Sequence, residues 1–396
     1  MINVDKTQKT ATGVDNLGIY IHVPFCVKKC NYCDFYSCAL KSSNNVSEYI
    51  DALCEHIKAE APAYRKRTVD TVFIGGGTPS LALPGDFEKL AKTVKESFNL
   101  TQGAEFSMEA NPGTLTEEKL RTYKKCGVNR LSIGLQSADD GELKTLGRIH
   151  TFDDFKENFL LARRCGFENI NVDIMYGLPD ESIEKISKTL DKVSEFSPEH
   201  ISAYCLKIEE NTPFFDIKDT LSIPDDDKIC DTYLAICDKL KNCGYEQYEI
   251  SNFSKVGYRC RHNLKYWNDE EYIGFGPSAH SLFNGRRYFY DNSTEKYVSA
   301  LRSGILPLKV SENERQKNKE DDADEYIMLK MRLSDGIDGE EFFEKFGISF
   351  DEYTGGVQKY ILGGYMEKCA GVYRFTPKGF FVSNFILSDI LHFKSR

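Results

Sequence analysis

Along most of the chain, short apolar runs of strand type alternate with longer segments in which apolar residues recur every three or four positions. Residues 17–25 form the first such run. Residues 47–66 predict a helix, since Tyr49, Ile50, Leu53, His56 and Ile57 recur at helical spacing and Ser47 can serve as N-cap. Residues 69–74 predict a second strand ending in Gly75-Gly76-Gly77-Thr78-Pro79, and residues 86–98 the next helix. Residues 104–110 predict a strand stopped by the turn signal Asn111-Pro112-Gly113. Residues 116–126 predict a helix with Thr116 as N-cap and an acidic first turn. Three more strands fall at 130–135, 169–175 and 200–206, separated by helices over 152–164 and 181–196.

Six strand–helix units in succession argue for parallel strands with helical crossovers. A dinucleotide-binding sheet is the competing architecture, but the glycine run lacks the G-x-G-x-x-G spacing. A full or partial barrel carries its functional groups at the C-terminal ends of its strands. The distinctive residues fall there. Three cysteines follow the first strand and the glycines follow the second. Glu109 closes the third, Gln136 the fourth, and Asp173 lies late in the fifth.

After a helix over 225–243 the character changes. An aromatic-rich segment leads to a strand and tight loop at 272–281, then to a charge-dense connector over 313–324. Helices over 324–332, 339–347 and 357–365, followed by a turn, predict a small winged-helix-like tail. From Glu320 onward 14 acidic residues stand against 9 basic ones, so a DNA-binding use of that tail is disfavoured and packing against the barrel is expected. The expected division is a flexible segment 1–16, a barrel 17–250 and a C-terminal domain 251–396.

The chain has 396 residues and a net charge of −10, which disfavours non-specific binding to nucleic acid or anionic membranes. No apolar run reaches the ~20 residues that span a bilayer. Residues 1–16 are polar and show no signal-peptide core, so a cytoplasmic location is expected. Most of the 13 cysteines sit singly within helix-like or strand-like patterns and read as buried, reduced thiols of a reducing compartment.

Cys26, Cys30 and Cys33 differ from the rest. They stand in a C-x3-C-x2-C spacing directly after the first strand. Clustered thiolates select zinc, copper(I) or iron–sulfur clusters. A structural zinc site takes four ligands, commonly from paired C-x2-C units. A [4Fe–4S] cluster held by three thiolates leaves one iron open, which suits a cluster that binds a small molecule.

This loop resembles that of the radical S-adenosylmethionine (SAM) superfamily. The longer word Tyr20-x-His22-x-Pro24-Phe25-Cys26 is similar to the branch that holds oxygen-independent coproporphyrinogen III oxidase and the HemW-type heme chaperones. The resemblance implies a partial (βα)6, TIM-like barrel with a mixed C-terminal region. It also implies a [4Fe–4S] cluster on Cys26, Cys30 and Cys33, with SAM chelating the open iron. Gly76, Gly77 and Thr78 are expected against SAM, their glycines allowing close backbone approach. Glu109, Gln136 and Asp173 offer acceptors for ribose hydroxyls or the SAM ammonium, and Arg148 a guanidinium for its carboxylate. Tyr20 matches a position that approaches SAM at the cluster, and Tyr32 is expected to pack around the adenine. His22 and His280 are expected to do no more than hydrogen-bond at the barrel mouth.

The second distinctive word, His262-Asn263-Leu264-Lys265-Tyr266-Trp267, contains the single tryptophan and resembles the H-N-x-x-Y-W signature of HemW-type chaperones. It implies heme as a third cofactor, with His262 as the iron ligand and aromatic rings around the macrocycle. Two functions follow. One is a chaperone that binds heme and passes it to an acceptor protein. The other is the oxidase, which decarboxylates two propionates with SAM-derived radicals. The oxidase pattern resembles C-x3-C-x2-C-x-C, and here Phe35 stands where its fourth cysteine would lie, with Cys38 out of register. The oxidase also carries a longer segment before its first strand. Both departures favour the chaperone. A radical SAM enzyme of unrelated substrate is a third reading, opposed by the second word and the tail.

Overall fold

The computed structural model describes residues 16–311 and 318–392. The segment expected to be flexible, apart from Asn16, and the start of the 313–324 connector lie outside the described residues. Six parallel strands form the centre: β1 Asn16–Val23, β2 Thr68–Gly76, β3 Asn99–Ala110, β4 Arg130–Gln136, β5 Ile170–Tyr176 and β6 His200–Cys205. They pair in sequence order, each with the next. Helices Ser43–Glu60, Pro84–Ser97, Glu117–Lys125, Phe152–Arg164 and Ile183–Glu195 return the chain between them. The expected partial barrel is therefore present.

The strands alternate in chemistry because their two faces meet different surroundings. The outward set, including Ile19, Ile21, Val72, Ile74, Met108, Ile133, Val172 and Ile201, is buried under the helices in one apolar core. The inward set is polar: Thr71, Glu105, Ser107, Arg130, Ser132, Asn171, His200 and Ser202 are all buried. Those inward groups bond to one another. Asn171 Nδ2 donates to Ser132 Oγ and Asp173 Oδ1, and Asn171 Oδ1 accepts from Ser202 Oγ and lies 2.6 Å from His200 Nδ1.

The sheet continues past both sides of this set. Strand Tyr272–Phe275 joins the other edge of β1 in parallel, and His280–Phe283, Arg286–Tyr290 and Lys309–Ser311 follow antiparallel. Asn252–Ser254 and Glu246–Gln247 extend it beyond β6. The boundary expected after residue 250 thus crosses a continuous sheet of 12 strands. A separate three-stranded sheet, Ile337–Asp338, Val372–Phe375 and Met366–Cys369, appears only in the tail, with short helices around it. The tail packs on the barrel helix Asp226–Asn242, where Phe381 meets Tyr233 at 5.9 Å between rings.

The first helix begins four residues earlier than expected. Ser42, not Ser47, is its N-cap, and Ser47 Oγ instead donates to Asp86 Oδ2 on the next helix. Thr116 caps its helix as expected, accepting from the Lys119 backbone N–H.

The N-terminal end of the barrel is closed by a helix, Arg261–Trp267. Its Lys265 is 2% exposed, with Nζ 2.9 Å from both Asp70 and Glu270. Breaking a buried pair from one side leaves an unpaired charge and costs about 3 kcal/mol or more. Lys265→Ala is therefore expected to lower the unfolding free energy by that order, read as a fall in the urea midpoint at unchanged m. An unchanged midpoint would show that Asp70 is solvated rather than held by Lys265.

Candidate functional site

The cysteine loop is fixed at its base and at its tip by backbone bonds. At the base, Phe25–Cys26 pairs with Cys38–Ala39, with Cys38 N donating to Pro24 O and Leu40 N to Cys26 O. At the tip, Asn31 N and Nδ2 donate to Leu146 O and Thr145 O, while Phe214 N donates to Asn31 O. His22 holds the far arm, with Nε2 2.9 Å from Tyr36 O, and its Nδ1 lies 3.0 Å from the Tyr20 hydroxyl. Since Nε2 can bond that carbonyl only as a donor, Nδ1 accepts and Tyr20 O–H donates.

The three thiols lie within electrostatic reach of one another. Burial pushes the thiols of Cys26 and Cys33 up, that of Cys33 to about 11. Opposing this, Thr78 Oγ1 donates to Cys26 Sγ at 3.7 Å and Arg148 Nη1 to Cys30 Sγ at 3.4 Å. Donors and a cation aimed at sulfur are what thiolates bound to metal need. The donor set fits an iron–sulfur cluster. Cys38 is within electrostatic reach of Cys26 but bonds elsewhere, with its sulfur 3.9 Å from Thr294 Oγ1, and Phe35 is 72% exposed.

Arg148 joins this loop to the strand ends. Its Nη2 donates to Asn111 Oδ1 at 2.8 Å and to Gly134 O at 2.6 Å, and Asn111 Nδ2 donates to Thr78 Oγ1 at 2.8 Å. Asn111 was legible in the sequence only as part of a turn. A Cβ added at Gly134 would lie about equally near Asn111 Oδ1, Gln136 Nε2 and Arg148 Nη2, at 3.1, 3.1 and 3.3 Å, so those three groups crowd one point. Gln136 reaches it through a left-handed backbone, φ +73°, where the β4–β5 register shifts.

Glu109 and Asp173 lie half-buried beside each other. Burial first, and the Asp173 carboxyl next, push Glu109 up to about 8, while the Gly76 N–H donating to it at 3.0 Å pulls the other way. Asp173 is raised by burial and accepts from Ser132 and Asn171. Tyr204 from β6 is a further neighbour of both carboxyls that the sequence did not single out. Tyr32 is half-buried beside Arg148 and the cysteines.

The glycines also make room within the protein itself. A Cβ at Gly76, where φ is +115°, would sit 2.6 Å from the His22 ring, and one at Gly77 would sit 2.7 Å from Phe25 O. Both positions are small because the cysteine loop itself lies against them.

His262 is placed far from the cysteine loop. It lies on the helix that closes the N-terminal end and bonds Thr71, five residues before Gly76 on β2 and so about 16 Å along the strand at ~3.3 Å per residue, whereas the loop lies at the opposite end of the strands. The imidazole is fully buried, stacks on Phe73 at 5.4 Å, and has Nδ1 2.9 Å from Thr71 Oγ1 and Nε2 2.9 Å from Tyr266 OH. Both nitrogens are engaged, so in this arrangement neither is open to ligate iron. For His262 to ligate heme iron, as expected from its sequence word, one of these two bonds has to be given up. His22 does bond at the barrel mouth, and His280 stacks on Phe289 at 5.1 Å.

A partial barrel of six parallel strands, with a three-cysteine loop after the first and acidic, amide and arginine side chains at the ends of the others, defines a radical SAM protein. Residues 20–193 match the Radical SAM superfamily, which carries a [4Fe–4S] cluster and SAM, and residues 318–382 match the HemN C-terminal domain. The heme chaperone HemW of Escherichia coli (strain K12) is 37% identical over 376 residues, which is 95% of this chain and 98% of that protein. The heme chaperone HemW of Bacillus subtilis (strain 168) is 35% identical over 338 residues, covering 84% and 87%. The chain belongs to the HemW family. Among solved structures, coproporphyrinogen III oxidase (HemN) from Escherichia coli, a radical SAM enzyme, matches with a TM-score of 0.82 at 21% identity, covering 96% of this chain and 91% of that one, which shows a shared fold. No helix among the described residues is long and apolar enough to cross a membrane.

Two outcomes are expected. Gly77→Ala pushes on backbone and should lower the iron content after anaerobic reconstitution, as should Gly76→Val through His22, while Cys38→Ala leaves it unchanged. Full iron loading in both glycine variants would mean that the loop tolerates displacement. The second concerns pH. A carboxyl raised to about 8 favours folding at low pH, and that contribution is lost as pH rises through 8. The lowered histidines His22, His56, His150, His200 and His262 act below pH 6.5 with the opposite sign, Glu181 and Glu249, pushed up to about 7, have largely acted by then, and the thiols raised by burial act with the same sign as Glu109 but chiefly above pH 8.5. The metal-free protein should therefore lose stability from pH 7 to 8.5, and Glu109→Gln should flatten that interval. Equal slopes in the two proteins would place the buried proton elsewhere.

Proposed function

We propose that this protein binds heme and hands it to an acceptor protein in the cytoplasm, carrying a [4Fe–4S] cluster and SAM as resident cofactors. The observation that carries the reading is similarity along the whole chain, tail included, to proteins named heme chaperone HemW. The side chain at position 35 supports it, since an exposed phenyl ring stands where the oxidase branch has a fourth cysteine.

In this reading Cys26, Cys30 and Cys33 hold the cluster, which supplies an iron with an open position for SAM. The chain's own groups then sort by chemistry. Arg148 can turn part of its guanidinium from Asn111 and Gly134 to a carboxylate, because its fork offers five donors. Glu109, Asp173 and Gln136 offer acceptors to hydroxyl and ammonium groups, and Thr78 holds Asn111 and Cys26 in place. Tyr20, whose proton is committed to His22, presents an oxygen lone pair. Gly76 and Gly77 let the cysteine loop sit close enough to these groups to share one ligand.

The test is direct. The cluster-loaded protein titrated with hemin should show a Soret shift, and the loaded heme should pass to apomyoglobin used as a trap. The same preparation with SAM and reductant should give no decarboxylation of coproporphyrinogen. Turnover to protoporphyrinogen would overturn the chaperone reading in favour of the oxidase.

A further inference from the structure

A cavity of about 410 Å³ lies between the C-terminal end of helix Arg261–Trp267 and the tail helices Lys319–Lys330 and Gly339–Phe346. That volume is in the range of small-molecule sites. Its apolar lining is aromatic, with Trp267 from the helix and Tyr326 and Phe346 from the tail. Trp267 follows His262 by five residues, which at 100° per residue turns it about 140° away from the buried imidazole. One helix therefore gives His262 to the barrel interior and Trp267 to the cavity.

The charges around the cavity are unequally matched. Of its carboxylates, Asp269 and Glu325 both face Arg287, at 2.9 and 3.0 Å. Of its lysines, Lys330 donates to the neutral Asn268 amide at 2.6 Å. Lys345 lies over the Tyr326 and Phe346 rings, at 4.4 and 5.4 Å. Lys319 has no ion pair among the described residues. Lys330 also feels the carboxylates of Glu270, Glu341 and Asp335, and Asp322 lines the slot as well, so Lys319 and Lys345 are the two ammonium groups at the aromatic slot without an ion pair among the described residues. A ligand that fits is flat, aromatic and carries carboxylates.

We propose that heme docks in this cavity, its macrocycle against Trp267, Tyr326 and Phe346 and its propionates on Lys319 and Lys345. This rests on the heme-binding reading above and gives that ligand a place remote from the cysteine loop. Recognition is by ring contact and charge, so it does not require His262 as a ligand.

The experiment uses the full chain. Hemin and iron-free protoporphyrin IX are each titrated into the unaltered protein, the Lys319→Glu/Lys345→Glu variant and Phe346→Asp, following the Soret band and the emission of the single tryptophan. Lys319 and Lys345 are exposed, so their reversal should leave the fold intact by circular dichroism. Both ligands should bind the unaltered protein with similar midpoints, and the charge-reversed variant should bind each at least tenfold more weakly. Lys319→Arg/Lys345→Arg should restore binding. Hemin binding unaltered in the reversed variant and in Phe346→Asp would overturn this site while leaving the heme function standing. Failure of protoporphyrin IX to bind would overturn recognition by ring and charge. No Soret shift in any protein, the unaltered one included, would instead sink the heme-binding function itself.

Discussion

The arrangement at the barrel mouth depends on one side chain, Arg148. Its guanidinium reaches a cysteine sulfur, a turn amide and a strand carbonyl at once. Burying a cation costs several kcal/mol unless a counter-charge is near. The counter-charge is the sulfur of Cys30, which binds a metal as its thiolate. Arg148 and the metal therefore favour each other's presence. A lysine could place its charge there but could not hold three acceptors in one plane.

The barrel interior explains why the strands were legible and also where their reading was incomplete. Segments such as Phe106-Ser107-Met108-Glu109 and Leu131-Ser132-Ile133-Gly134 alternate apolar and polar residues. That period commonly marks a strand with one face in water. Here the polar face meets other polar side chains across a lumen, and Asn171 alone links Ser132, Asp173, His200 and Ser202. Strand positions depend only on the period, so six strands were readable to within a few residues. What faces the polar side depends on closure of the sheet, which local sequence does not encode.

The misreadings share that cause. Asn111 looks like a turn residue because Asn-Pro-Gly is sufficient reason for a turn, and its bonds to Arg148 and Thr78 come from strands distant in sequence. Gly76 and Gly77 read as room for a ligand, and their close approach to His22 and Phe25 again comes from a segment distant in sequence. A change from barrel to tail was sought where the composition shifts near residue 250. The sheet instead runs on to Ser311, because Tyr272–Phe275 pairs with the first strand across more than 240 intervening residues. Three cysteines closely spaced after a strand needed no such distant partner, and their loop was readable outright.

His262 shows how a short word can be distinctive for a reason other than direct ligand contact. Its helix is held by several bonds at once. Glu105 accepts from the backbone of Arg261 and His262 and from the Cys260 thiol, and Lys265 reaches Asp70. The imidazole itself continues a column of rings running inward from the mouth, Tyr20 to Phe73 at 6.3 Å, Phe73 to His262 at 5.4 Å and His262 to Tyr266 at 5.3 Å. A close-packed column with both ends bonded resists displacement, because any ring that moves leaves a void or an unmade hydrogen bond. The closing helix is thus the fixed wall of the lower cavity. The opposite wall, from Lys319 to Phe346, belongs to the tail, so a ligand entering there is accommodated by the tail before it disturbs the strands that carry the cysteine loop.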